Sequence, residues 1–161
     1  MSMVDYEKVM SAAEQKCIQA GIRFTKRRKQ VLSVLIEAGT ALSAYEIAER
    51  CNAGNGSNMP AMSVYRILDL FQDQNLIHKL DIANKYVCCA HISCSHEHDN
   101  SQFLICGSCR HVEEISLSKD AVQALKTAAS AAGFNAISPQ LEIKGRCSRC
   151  EQSEGHAITL C

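Results

Sequence analysis

The sequence predicts an α+β chain in two parts: an N-terminal winged helix-turn-helix and a C-terminal α/β unit stapled by a metal. Three observations carry this. The first half holds four helical periodicities followed by a hairpin pattern; the second half turns to strand-like segments around one helix; and two cysteine pairs, Cys106-Gly-Ser-Cys109 and Cys147-Ser-Arg-Cys150, sit at the ends of those strands. Each C-x-x-C turn aims two sulfurs at one point, and two such turns form the closed four-thiolate cage that holds structural zinc. The gap between the pairs is longer than in a simple zinc ribbon, so a further structured segment folds between them.

The elements follow in order. Tyr6, Val9, Met10, Ala13 and Cys17 recur at helical spacing over residues 5–20, and Gly21 ends that helix. Thr25 is an N-cap residue for a second helix that turns Val31, Leu32 and Leu35 inward and stops near Gly39. Ser43 caps a third, where Glu46 completes a capping box and Ile47, Ala48 and Cys51 face the core. After the Gly- and Asn-rich stretch 53–58, Pro60 suits the first turn of a fourth helix with Val64, Ile67, Leu68 and Phe71 as its stripe. Leu76–Leu80 and Tyr86–Cys89, joined by Asp81–Asn84, read as the hairpin.

Residues 89–101 are polar and ligand-rich and read as a hinge between a winged-helix domain at 1–88 and a zinc-stapled domain at 102–161. In the latter, Phe103–Cys106 and His111–Ile115 are strands. Ser118 starts a helix with Val122, Leu125 and Ala129 on one face, and the alternating Leu141–Arg146 leads into the second cysteine turn. A β-β-α-β unit this small buries little by itself, so the metal and a partner subunit are its expected stabilisers.

Composition narrows the function classes. The chain has 161 residues, 47% hydrophobic and 5% aromatic, with ten cysteines, no Trp and zero net charge. That cysteine density is below a disulfide scaffold, and the charged N-terminus carries no secretory signal. No stretch approaches a membrane span, so the expectation is a cytoplasmic protein with reduced thiols, in which metal outranks disulfide. The cations are not evenly spread: Arg23, Lys26, Arg27, Arg28 and Lys29 crowd one short segment, as a phosphate-contacting patch or a solvated face would. In a winged helix the fourth helix enters the major groove, and its start offers Ser63, Tyr65 and Arg66 opposite the apolar stripe. Arg66 would fork onto guanine; Tyr65 would touch a thymine methyl or a phosphate.

With the four cysteines set aside, His78, Cys89, His96, His98 and Glu114 remain as ligand candidates drawn from both halves, and His91, Cys94 and His96 could form a third position. One thiolate favours zinc over harder cations. A competing enzymatic reading rests on His111-Val-Glu113 followed by Cys147-x-x-Cys150, the order of a zinc nucleoside deaminase. Arg146 stands where that signature needs Pro, and Cys106 and Cys109 are left without a role.

Taken together, Arg23-Phe-Thr-Lys-Arg-Arg, Ser43-Ala-Tyr45-Glu, Ser63-Val-Tyr-Arg-Ile-Leu68, Leu76-Ile-His-Lys79, Tyr86-Val-Cys-Cys89, Phe103–Cys109 and Gly145–Cys150 resemble the ferric uptake regulator superfamily, and within it the zinc uptake regulator branch, across residues 6–150. Lys26 and Ser63 depart from the residues most common there, Pro and Thr. The resemblance implies a winged-helix half and a dimerisation half, and a zinc-responsive repressor of zinc-uptake genes. It also implies a homodimer on double-stranded, pseudo-palindromic and AT-rich operator DNA, with two or more zinc ions per subunit and no membrane association. It puts purine reading on Tyr45 and Arg66, phosphate contact on Arg23, Lys26 and Arg27, structural zinc on Cys106, Cys109, Cys147 and Cys150, and regulatory zinc on His78, Cys89, His98 and Glu114. His96 competes with His98 in the His-Glu-His run, and Cys88 stands beside Cys89. An iron- or peroxide-responsive member of the same superfamily is the alternative, and Cys89 argues against it, since those sites use mainly nitrogen and oxygen ligands.

Overall fold

The computed structural model describes residues 3–53, 58–90, 92, 101–135 and 140–155, in two compact units, Met1–His96 and Glu97–Cys161. The first holds α1 (Met3–Gln19), α2 (Lys26–Ala38), α3 (Ala44–Asn52), α4 (Ala61–Asp73), β1 (Ile77–Leu80) and β2 (Lys85–Cys88).

Local chemistry sets these boundaries. The Thr25 hydroxyl accepts from the Arg28 N–H at a long 3.5 Å, and α2 leaves through Gly39 at φ 58°, a left-handed geometry that glycine adopts without strain. Both halves of the capping box on α3 are made: the Glu46 N–H donates to Ser43 Oγ at 3.2 Å, and the Ser43 N–H donates to Glu46 Oε2 at 2.7 Å. Pro60 is the N-cap residue itself, and α4 begins at Ala61. Proline's fixed φ suits that entry, but it has no side-chain oxygen to cap with. Asn52 stabilises this turn instead. Its amide nitrogen donates to the Met59 carbonyl at 3.1 Å, and its oxygen accepts from the Met59 N–H at 2.8 Å.

The apolar stripes meet in one core. Val31, Leu32, Leu35, Ile47, Val64, Leu68 and Phe71 are buried, with Ala13 and Cys17 of α1 beneath them. Phe24 and Phe71 pack with ring centroids 6.3 Å apart. A fully buried side chain of the Leu or Phe size stabilises by about 1.5–3 kcal/mol, so this cluster is what holds the helices together.

The hairpin pairs antiparallel, with Ile77 opposite Cys88 and Leu80 opposite Lys85. Its third member comes from the segment before α3. The Leu42 N–H donates to the Tyr86 carbonyl at 2.9 Å and the Tyr86 N–H donates to the Leu42 carbonyl at 2.7 Å. Lys85 Nζ adds a side-chain tie, donating to Glu46 Oε1 at 3.0 Å and Oε2 at 2.9 Å. Hairpin and α3 are thus joined through main chain and side chain. This is a winged helix-turn-helix.

The second unit holds β3 (Ser101–Cys106), β4 (Val112–Ser116), α5 (Lys119–Ala131), β5 (Glu142–Gly145) and α6 (Ser148–Gly155). The sheet order is β4-β3-β5, with β3 antiparallel to β4 and parallel to β5. A parallel neighbour requires a crossover, which the α5 segment supplies. Ser118 caps that helix, accepting from the Ala121 N–H at 3.2 Å. Phe103, Ile105, Cys106 and Val122 are buried, as is Gln102, whose side-chain oxygen accepts from the Leu141 N–H. Leu125, expected to face inward, is 44% exposed. The three-stranded sheet offers α5 too little surface to cover a second turn of its stripe. α6, which the sequence reading did not anticipate, begins inside the second cysteine turn, at Ser148.

Glu46 ties the capping box to the hairpin, and its backbone bond to Ser43 and its bond to Lys85 hold its carboxyl down at about 2, against an ordinary 4.5. A depressed carboxylate contributes stability that is present above 4.5 and lost as pH falls toward 2. In chemical denaturation at a series of pH values, Glu46→Gln is expected to be less stable than wild type at neutral pH, with the gap closing below pH 4.5. Ser43→Ala, which removes the other cap partner, is expected to cost about 1 kcal/mol at neutral pH.

Candidate metal centre and nucleic-acid face

The four-cysteine centre is built at two strand ends. Cys106 closes β3, and Cys147 follows β5, its parallel neighbour, with Cys106 aligned to Gly145. Two turns complete the set. The Cys106 N–H donates to the His111 carbonyl at 2.9 Å and the Arg110 N–H returns to the Cys106 carbonyl at 3.0 Å, folding Cys109 over the strand end. Arg110 adopts φ 60°, the left-handed conformation that lets so tight a knuckle close. The Cys150 N–H donates to the Cys147 carbonyl at 2.9 Å as α6 starts.

The sulfurs of Cys106, Cys109, Cys147 and Cys150 all lie within 4.8 Å of one another, and those of Cys109 and Cys147 are 3.6 Å apart. A zinc tetrahedron with ~2.3 Å bonds requires sulfurs ~3.8 Å apart, so the residues present fit that ion. A disulfide would need ~2.05 Å, and none forms among the described residues. The backbone prepares the cage for charge. The Cys109 N–H, followed by the Cys147 N–H, lowers the Cys106 thiol to about 6. The latter bond measures 3.4 Å. The Cys147 thiol is lowered chiefly by the Cys150 N–H. Crowding works the other way on the last sulfur: Cys109, followed by Cys147, pushes Cys150 up to about 12. A full set of thiolates therefore needs a cation at its centre. Cys147 and Cys150, which the deaminase pattern would combine with His111, are grouped with Cys106 and Cys109.

In the first unit, His78 sits half-buried on β1, opposite Val87. Cys89, directly after β2, is 2% exposed, its N–H donating to the Leu76 carbonyl at 3.0 Å. Their ligand atoms lie within 4.8 Å of each other. Cys88 is half-buried against the core, its sulfur pointing to the Cys89 carbonyl at 3.8 Å. Glu114 is on β4 of the second unit, half-buried and paired with Phe103. His91, Cys94, His96 and His98 fall outside the described residues, as do His156 and Cys161.

Of the groups expected to meet nucleic acid, Arg66, Arg23, Lys26 and Arg27 are exposed, and Tyr45 is 69% exposed near the start of α3. Ser63 is half-buried. Tyr65, expected on the open face of α4, is half-buried and packs against the core. Its position, one residue after Val64 and two before Ile67, puts it at the edge of the stripe rather than opposite it. Its ring meets that of Tyr45 edge to face, centroids 6.2 Å apart at 86°. The cation cluster divides in the same way. The Arg28 guanidinium donates to the Arg23 carbonyl, and Lys29 pairs with Glu14 at 2.8 Å while lying 5.3 Å from the Phe24 ring centre. These two work within the fold. The S-x-x-E pattern flagged Glu46 as a cap, but nothing local pointed to Lys85 as its second partner.

A winged helix followed by an α+β unit gathered on four thiols defines the class, a metal-stapled winged-helix protein of two units. The chain belongs to the ferric uptake regulator family, whose profile matches residues 19–144. It is 29% identical over 154 residues to the zinc uptake regulation protein of Escherichia coli K12, spanning 96% of this chain and 88% of that one. Among solved structures it is similar to a zinc uptake regulator complexed with zinc and DNA, with TM-score 0.80, 27% identity, and 92% and 97% of the two chains covered. It is also similar to holo XcZur, with TM-score 0.72, 32% identity, and 89% and 96% covered.

Cys106→Ser removes the thiol that is buried and most readily ionised. Zinc content measured by atomic emission is expected to fall by one ion per chain, with strand signal in circular dichroism lost alongside it. A variant retaining full zinc and an unchanged spectrum would contradict a structural role.

Proposed function

We propose that this chain is a cytoplasmic zinc-responsive repressor of zinc-uptake genes that binds operator DNA as a homodimer, and that it is not an enzyme. The observation that carries the zinc assignment is the thiol in the His78–Cys89 pair, whose ligand atoms lie within 4.8 Å of each other. A soft thiolate beside an imidazole suits zinc, whereas iron(II) and manganese sites draw mainly on nitrogen and oxygen. The likeness to a zinc uptake regulator complexed with zinc and DNA supports both ligands of the proposal.

The roles divide by chemistry. Cys106, Cys109, Cys147 and Cys150 hold structural zinc, closed to exchange by its four thiolates. Regulatory zinc is held by His78, Cys89, His98 and Glu114, with His96 as the competing loop ligand, giving two or more ions per subunit. When bound, zinc supplies directed bonds that ligands from both halves of the chain satisfy together. His78 and Cys89 grip the hairpin, and the carboxylate of Glu114 supplies the hard, anionic ligand. A nearly complete switch of DNA affinity needs roughly 5 kcal/mol of preference for the binding-competent state, which four-ligand zinc binding can provide.

On the DNA side, Tyr45 and Arg66 read bases, Ser63 lies at the entry of α4, and Arg23, Lys26 and Arg27 contact phosphates. In a two-fold dimer the two α4 helices meet a pseudo-palindromic, AT-rich site one helical turn apart. The second unit supports the dimer. Leu104 and Ile143 are aligned neighbours on β3 and β5, so they share one face of the sheet, and they remain 36% and 49% exposed in the single chain. No helix among the described residues is long and apolar enough to cross a membrane.

Cys89→Ser is expected to abolish zinc-dependent retention of AT-rich palindromic duplexes in a gel shift, run in parallel with iron(II) and with chelator, while the protein stays a folded dimer. Retention with unaltered zinc dependence would sink the ligand assignment. Ile143→Asp is expected to sediment as a monomer in analytical ultracentrifugation with its helix content intact; a dimer of wild-type stability would move the interface elsewhere.

A further inference from the structure

Tyr45 presents a large aromatic ring of which 69% of the surface is open to water. Exposure of that degree leaves little packing to fix the side chain, yet base reading requires a fixed one. The ring contact made by Tyr45 comes from α4: the Tyr65 ring meets it at 6.2 Å and 86°, the edge-to-face geometry that aromatic quadrupoles prefer. Tyr65 is itself anchored, half-buried and packed on the core formed by Val64, Leu68 and their neighbours. It also lies close enough to Tyr86 to help raise the Tyr86 hydroxyl, after burial and Asp69. One ring therefore meets Tyr45 of α3 and packs on the core beneath α4.

We propose that Tyr65 is a positioning residue for DNA recognition: it holds the Tyr45 ring against α4 so that Tyr45 and its own neighbour Arg66 reach the groove as one preorganised pair. This rests on the DNA-binding reading above and reassigns Tyr65 from contacting DNA to orienting a residue that does. Preorganisation lowers the ordering entropy of binding without adding a contact. Its loss should therefore appear in discrimination between sequences, while affinity for phosphate stays the same. The ring edge does the holding, so the hydroxyl is dispensable.

The test begins with a duplex enriched by the wild-type protein, with zinc, from a randomised pool. A wild-type protein that enriches no sequence overturns the DNA-binding reading itself, and this inference with it. On the enriched duplex, Tyr65→Phe should bind within about twofold of wild type, and Tyr65→Leu should bind about five- to tenfold more weakly, the scale of one aromatic pair. Both should bind a mixed-sequence competitor duplex as wild type does, and both should retain the wild-type circular dichroism spectrum and zinc content. In a double-mutant cycle the effects of Tyr45→Ala and Tyr65→Leu should overlap, so that the double variant is barely weaker than Tyr45→Ala alone. Additive effects would overturn the inference, because they would mean that each ring acts independently. Tyr65→Phe as weak as Tyr65→Leu would overturn it too, because the hydroxyl would then be touching DNA directly.

Discussion

Four sulfur atoms confined within 4.8 Å of one another cannot all carry charge unless a cation sits among them. The second unit is organised around that constraint. Its three strands are too few to build a deep core, and its buried apolar side chains are mostly those of β3 and the first turn of α5. The parallel pairing of β5 with β3 delivers Cys147 and Cys150 to the sulfurs presented at the end of β3. The aligned Leu104 and Ile143 exist as a face only because those strands are neighbours.

The first unit solves a different problem, which is to hold two short helices against each other while Tyr45 and Arg66 stay exposed on them. Burial does most to fix α4, through Val64, Leu68 and Phe71. The shorter α3 buries Ala44, Ile47, Ala48 and Cys51 and adds polar ties at its ends. Asn52 bonds twice to the Met59 backbone, Gln30 donates to the Cys51 carbonyl at 2.7 Å, and Glu46 serves cap and hairpin together. These bonds cluster at the two ends of α3, where a nine-residue helix has the most backbone groups left to satisfy.

Much of this was legible in the sequence, because the signals are local. The caps at Thr25, Ser43 and Ser118, the stripe of α4 and the two cysteine turns depend on residues a few positions apart, and the structure bears them out. What escaped depends on distant partners. Lys85 reaches Glu46 across thirty-odd positions, and no pattern near either one announces it. The parallel pairing of β5 with β3 joins segments far apart in the chain and leaves no trace in strand propensity. Leu125 carried the right period for a buried residue, but burial also requires a surface to pack on, and a three-stranded sheet runs out. Tyr65 was misplaced for a geometric reason: at the edge of a helical stripe, a single step of 100° decides between core and solvent. Helix α6 begins inside a cysteine turn and has no apolar stripe to give it away.

The two main-chain bonds between Leu42 and Tyr86 have a mechanical consequence. They attach the hairpin to the residue immediately ahead of the Ser43 cap, with no flexible stretch between. The hairpin and α3 behave as the two arms of a lever. His78 and Cys89 lie on one arm and Tyr45 on the other, so a force applied to the first pair is transmitted to the helix that carries the tyrosine.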